Sequence, residues 1–391
     1  AAAITAADNG ATVKLLSNVT ESVNIAENKE ITLDLNGYTL TNAAGYDTII
    51  NKGNLTVIDS SEGKTGTVDN VSNGRAALIN NEDATATLNG GTFMRSNEVG
   101  TYAPYLPNGN SYYTIENSGT MSIYDGVTVK NAGGYSSNII NVGKSENNAS
   151  LTIYNGVFSG GVNSVKNDAY GVLEINNGKF FNTVQDCIMN WYKATINGGV
   201  FTALESADSV VYNGSYSDMK GDLTITGGTF TGAIVAKNYN GQAKADPVTS
   251  ISGGTFDTNV NSYCAEGFAP TKNADSTYTV DNTIKWEYDT DSGFYVVNDA
   301  KLGMMRFMFN AGTINDTVTE AGIKYISAAN LGKSFDEGSV SIATDSAAVQ
   351  GDIVGITEGT NGTYYAAAYL KTAANTFWSK PLACTINWKQ Q

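Results

Sequence analysis

Over roughly the first 280 residues, apolar and polar side chains alternate in short runs of about four to six positions, each run broken by Gly or Asn. A period of two marks strands with one buried face. Two phrases carry the pattern. In the first, an apolar residue is followed by Gly three positions later and Phe two further: Leu88-Gly91-Phe93, Ile153-Gly156-Phe158, Ile175-Gly178-Phe180, Ile196-Gly199-Phe201, Ile225-Gly228-Phe230 and Ile251-Gly254-Phe256. Ile123-Gly126-Thr128 keeps the spacing without the ring, and Leu35-Asn36-Gly37-Tyr38 is a shortened relative. In the second, an apolar residue stands two positions before Asn: Ile49-Asn51, Leu78-Asn80, Ile115-Asn117, Ile139-Asn141, Val165-Asn167, Ile188-Asn190, Val211-Asn213 and Ala236-Asn238.

Successive Asn positions lie 29, 37, 24, 26, 23, 23 and 25 residues apart, so the unit varies in length while its phrases hold their spacing. Such a unit is too short to enclose a core alone. Stacked as coils, each strand pairs in parallel with its counterpart at about 4.8 Å, and like residues fall on like. The pattern predicts an all-β chain: a right-handed parallel β-helix of about eight coils over residues 1–281, with an N-terminal cap and a closing strap at about 259–281. Apolar columns fill its interior and Gly supplies positive φ at corners. Asn51, Asn80, Asn117, Asn141, Asn167, Asn190, Asn213 and Asn238 are expected to form a hydrogen-bonded ladder, because an amide both donates and accepts.

The units containing Asn-Gly-Gly-Val-Phe, Thr-Gly-Gly-Thr-Phe and Ser-Gly-Gly-Thr-Phe, and the opening Ile31-Thr-Leu-Asp-Leu-Asn-Gly-Tyr-Thr-Leu40, resemble the pectin-lyase-like β-helix repeats of bacterial secreted and cell-wall proteins. Tyr263–Val280 resembles the segment that closes such arrays. The resemblance implies a fold and an extracellular or bacterial cell-surface location. It implies little about activity, since that superfamily holds lyases, hydrolases and adhesins.

The phrases stop near residue 282, where Trp286, Met304, Met305, Phe307 and Phe309 appear in strand-like runs. Further strand candidates are 322–326, 352–356, 364–369 and 384–388. A small β-sandwich of immunoglobulin-like or fibronectin-like type is expected over 282–391, resembling a module appended to exported proteins of anaerobic bacteria.

Composition narrows the chemistry. Thirty-eight acidic against 23 basic residues give a formal net charge of −15, which disfavours nucleic acid as a partner. No run approaches the roughly 20 apolar residues that cross a bilayer, so direct membrane insertion is not expected. The opening residues lack the charged start and apolar run of a signal peptide. A monomer is the expected state. Cys187, Cys264 and Cys384 lack metal or disulfide spacing, so three free thiols, no metal and no cofactor are expected. Asp289 and Asp291 read as a hairpin turn, with calcium ligation as the alternative.

The chain has no histidine, which removes Ser-His-Asp and Cys-His mechanisms. Arg75, Arg95 and Arg306 are the only arginines, and Arg75 and Arg95 have no aspartate cluster nearby in sequence. Asp168 and Asp186 fall in neighbouring coils and are the weak candidates for a catalytic carboxylate pair, against a plain reading as solvated corner residues. A more informative feature is aromatic: Trp191, Tyr192, Tyr212, Tyr216 and Tyr239 in three successive coils, flanked by Lys166, Asp168 and Lys237, with Tyr102, Tyr105, Tyr112 and Tyr113 in one long early loop. Rings on a rigid wall form a platform on which sugars stack; the alternative is that they cover a neighbouring loop. The expected function is an adhesin-like protein binding a glycan or a host-surface ligand. A polysaccharide-degrading enzyme and a structural spacer are the alternatives.

Overall fold

A computed structural model describes residues 1–72, 74–96, 112–131, 136–286, 294–299, 304–330, 348–354 and 362–386. Tyr102, Tyr105, Asp289 and Asp291 lie outside the described residues, as do the side chains of Arg306 and Cys384. The chain forms two compact units, 1–264 with 270–281, and 265–269 with 282–391.

In the first unit the strands stack into three parallel sheets, forming a parallel β-helix. Sheet A runs from Ala11–Lys14 to Val248–Ile251, sheet B from Val19–Thr20 to Thr255–Phe256, and sheet C from Val23–Ile25 to Ile234–Asn238. Among the described residues this makes nine complete turns and two strands of a tenth. The first turn, residues 11–25, carries neither phrase. A short helix, Ala2–Ala6, buries Ile4 and packs near Val23–Ile25. At the other end of sheet B, Tyr278–Asn282 pairs antiparallel with Thr255–Phe256.

Register explains why the phrases repeat. Leu33, Val57, Leu88, Ile123, Ile153, Ile175, Ile196, Ile225 and Ile251 form one buried column of sheet A. Phe158, Phe180, Phe201, Phe230 and Phe256 stack inside sheet B at 4.6 to 4.9 Å with planes within 7° of parallel. Gly178, at φ 137°, shows why glycine precedes each ring: a Cβ there would stand 3.0 Å from Phe180.

The Asn corner is a continuous ladder. Nδ2 of Asn51, Asn80, Asn117, Asn141, Asn167 and Asn190 donates to Oδ1 of the next asparagine at 2.7 to 2.8 Å, ending at Asn213. Asn238 is outside it. The residue paired with Asn213 is Ala236, because the strands Val211–Tyr216 and Ile234–Asn238 continue past the corner where earlier strands turn. Asn213 donates instead to the Val248 carbonyl at 2.8 Å and Thr249 Oγ1 at 2.9 Å.

The second unit contains two antiparallel sheets. Ile284–Trp286, Phe294–Asp299, Met304–Ile314 and Ala348–Val354 form one; Glu320–Ser327, Gly362–Lys371, Thr376–Trp378 and Leu382–Ile386 form the other. Phe307 and Phe309 from the first share an apolar cluster with Ile323, Leu370 and Phe377 from the second, which makes the pair a small sandwich.

Candidate binding face

Sheet C positions the candidate residues. In each three-residue strand the first and third side chains point inward and the middle one outward. The outward column reads Ile50, Ile79, Glu116, Ile140, Lys166, Met189, Tyr212, Val235. An outward row so rich in apolar residues is unusual for a solvated wall, and Ile140 is only 8% exposed. Tyr113, from the turn before Ile140, hydrogen-bonds Lys166 in the turn after it.

Polar groups gather around the covered row. Lys166 pairs with Asp168 at 2.7 Å. Burial opposes the Lys166 ammonium, but the charges of Tyr113 and Asp168 and hydrogen bonds to both outweigh it and raise its pKa. Burial pushes the Glu116 carboxyl up against a hydrogen bond with Tyr112, with the Asp47 charge adding to the rise. Burial, then the Glu116 and Asp47 charges, lifts the Tyr112 phenol to about 12. Asp47 accepts the Ala76 N–H at 2.8 Å and lies 3.8 Å from the Arg75 guanidinium, whose Nε donates to the Gly45 carbonyl. Arg75 therefore does have an aspartate beside it, supplied by the previous turn. Arg95 is 1% exposed and donates to the Tyr112 carbonyl and Ser136 Oγ.

The rings separate into two groups. Trp191 contacts Tyr212 at 5.6 Å and Tyr239 at 5.7 Å, and Tyr239 meets Tyr216 at 5.8 Å, so four rings from three turns touch in sequence. Their planes are inclined by 56°, 85° and 69°, so they do not form a flat track. Tyr192 belongs elsewhere, 5.5 Å from Tyr170 with the Lys193 ammonium 5.5 Å over its ring. Lys237 is exposed and pairs in register with Gly214.

Asp168 and Asp186 do not form a catalytic pair. Asp168 follows Asn167 at the trailing end of its strand, whereas Asp186 precedes Ile188 at the leading end of the next, so the strand length separates them. Asp186 is 5% exposed and accepts from Ser209 Oγ; burial raises its carboxyl to about 6. Cys187 and Cys264 are free thiols. Among the described residues no helix is long and apolar enough to cross a membrane. Sequence reading missed Glu116, Asp47 and Tyr170 as members of this face. The middle position of each Ile-x-Asn phrase would have located Glu116.

The chain matches no protein-family model and no curated protein.

Proposed function

We propose that this chain is a binding module of a bacterial secreted or surface protein, monomeric, which holds a glycan against the outer face of sheet C. The observation that supports this reading is the contiguous set Trp191, Tyr212, Tyr239 and Tyr216, mounted on three successive turns of a hydrogen-bonded wall. Groups already fixed by paired strands need little ordering on binding, which lowers its entropic cost. With about 1 kcal/mol per ring contact, an oligosaccharide would bind in the micromolar to millimolar range. The test is a glycan array on the intact chain, followed by titration of a hit against Trp191→Ala and Tyr212→Ala. Unchanged affinity in both would place the site elsewhere.

A second reading, polysaccharide cleavage, draws on Asp47, Arg75, Tyr112 and Glu116 lying on the same face. A carboxyl that burial makes a weaker acid, as at Glu116, holds its proton more tightly and suits the role of proton donor to a leaving oxygen. Release of new reducing ends or unsaturated sugars, lost in Glu116→Gln, would favour it. A chain that neither retains nor cleaves any glycan would leave the spacer reading.

A further inference from the structure

The corner between sheets C and A changes length from turn to turn, and the change leaves a slot. In register, residues 26–29 join Ile25 to Glu30 and residues 81–84 join Asn80 to Thr85, but only Lys52 and Gly53 join Asn51 to Asn54 between them. The two longer corners therefore stand as walls about 10 Å apart, two strand spacings, over a short floor. They match in shape, with Asn28 and Asp83 in left-handed conformation at φ 61° and 64°. The floor is fixed: Gly53 N–H donates to Asn51 Oδ1 at 3.1 Å, and its carbonyl accepts from Thr85 N–H at 2.9 Å. The slot encloses about 470 Å³, within the range of small-ligand sites, with Glu27 on one wall, Glu82 and Asp83 on the other and Lys52 at its base.

The next short corner shows what such a gap accepts. Ser118 and Gly119 join Asn117 to Thr120 between the 81–84 corner and the long corner 142–148. The chain bridges that gap itself: Lys144 pairs with Glu82, and Asn147 Nδ2 donates to Asp83 Oδ1 at 2.9 Å. An ammonium and an amide thus meet the wall whose other side faces the open slot. Three carboxylates against Lys52 leave the open lining net negative, yet among the described residues no three carboxylates stand close enough to share a metal ion. An organic cation that spans the slot satisfies both facts. A lysine side chain would lay its methylene stem on apolar surface, and among the described residues no apolar side chain lines the slot. Asn28, Asn54 and Asn81 offer amides that both donate to and accept from hydroxyl groups. We propose that this slot binds an unacetylated amino sugar, its ammonium between Glu27 and the Glu82–Asp83 wall and its hydroxyls on the amides. The site lies four turns from Trp191 and does not rest on the glycan reading there.

The experiment titrates the intact chain with D-glucosamine, at a pH where its amine is protonated, and reads binding by calorimetry and saturation-transfer NMR. N-acetyl-D-glucosamine, D-glucose and Nα-acetyl-lysine amide are the comparisons. D-glucosamine should bind saturably at millimolar concentration, and the other three should not. Glu27→Gln, at an exposed carboxylate, should weaken D-glucosamine about two- to fivefold, the range of a solvent-exposed ion pair. Lys52→Gln, which removes a like charge, should tighten it about twofold. Trp191→Ala should leave it unchanged. Equal binding of N-acetyl-D-glucosamine or D-glucose would show that the charge is not read, and equal binding of the lysine amide that the sugar is not; either overturns the proposal. So does the absence of saturable binding, an unchanged affinity in Glu27→Gln, or loss of binding in Trp191→Ala. An array glycan retained while D-glucosamine fails sinks this inference alone, and the reverse result sinks the glycan reading alone.

Discussion

The indole of Trp191 occupies the space where a side chain at Gly214 would stand: a Cβ there would come 2.5 Å from Cζ3 and 2.8 Å from Cε3 of the indole, and 2.7 Å from Cε1 of Tyr212. Glycine at this point is therefore what allows a ring from one turn to lie beside the backbone of the next. Gly214→Ala should displace Trp191 from Tyr212 and Tyr239 while leaving every ring in the sequence. The expected outcome is a shift in tryptophan emission and a loss of glycan affinity comparable to that of Trp191→Ala. Unaltered emission would mean that the indole is not held by this contact.

The ladder makes a prediction with an internal control. Asn167 is fully buried; it accepts from Asn141 and donates to Asn190, to the Gly171 carbonyl and to the Lys193 carbonyl. Asn167→Leu strands these partners inside the wall and should destabilise by about 1 to 3 kcal/mol in chemical denaturation. Asn238, whose amide sits half-exposed and serves Ala243 and Asp246, should tolerate the same change at smaller cost. Equal costs would argue that ladder membership contributes nothing.

The contrast between those two asparagines shows how far the sequence is legible. The spacing of Ile188-Asn190 and Val211-Asn213 determines which side chains stack, because a fixed offset within each unit becomes a fixed height on the wall. The same spacing in Ala236-Asn238 misleads, since the chain there runs straight past the corner and pairs Asn213 with Ala236. That departure depends on tertiary pairing and on the hairpin at Tyr216 and Met219, which local pattern does not encode. The aromatic cluster was readable as residue types near a corner, whereas its ring angles were not. The assembly of Asp47, Arg75, Tyr112 and Glu116 arises from turns 28 to 69 residues apart, and only the coil register brings them to one face.

Phe201 tests the interior stack. Its ring lies 4.6 Å from Phe180 and 4.8 Å from Phe230, nearly parallel to both, and it is fully buried. Phe201→Ala opens a cavity in the middle of a column that neighbouring turns cannot collapse to fill, and should cost about 3 to 5 kcal/mol. Phe201→Leu, which retains most of the volume, should cost appreciably less. A loss below 1 kcal/mol for the alanine variant would show that the column contributes little.

Asp186 gives stability a pH dependence whose sign follows from its burial. Its carboxyl is raised in the folded chain from 3.8 to about 6, chiefly by burial and against the hydrogen bond from Ser209. Between those values the folded state binds the proton more tightly than the unfolded state, so folding is favoured by acid. The contribution is fully present below about pH 4 and is lost as pH rises through about 6, beyond which stability from this group is constant. A shift of about two units sets its size at no more than about 3 kcal/mol. Asp186→Asn keeps an acceptor for Ser209 and cannot ionise, so it should flatten the decline between pH 4 and 6. Above pH 6 the variant should equal or exceed the parent chain in stability. Glu116, also raised by burial, titrates in the same direction, so the comparison must be the difference between parent and variant at each pH. Denaturant midpoints at pH 4, 5, 6 and 7 provide it. A difference between the two chains that stays constant across that range would mean that Asp186 is ionised in the folded wall at no cost.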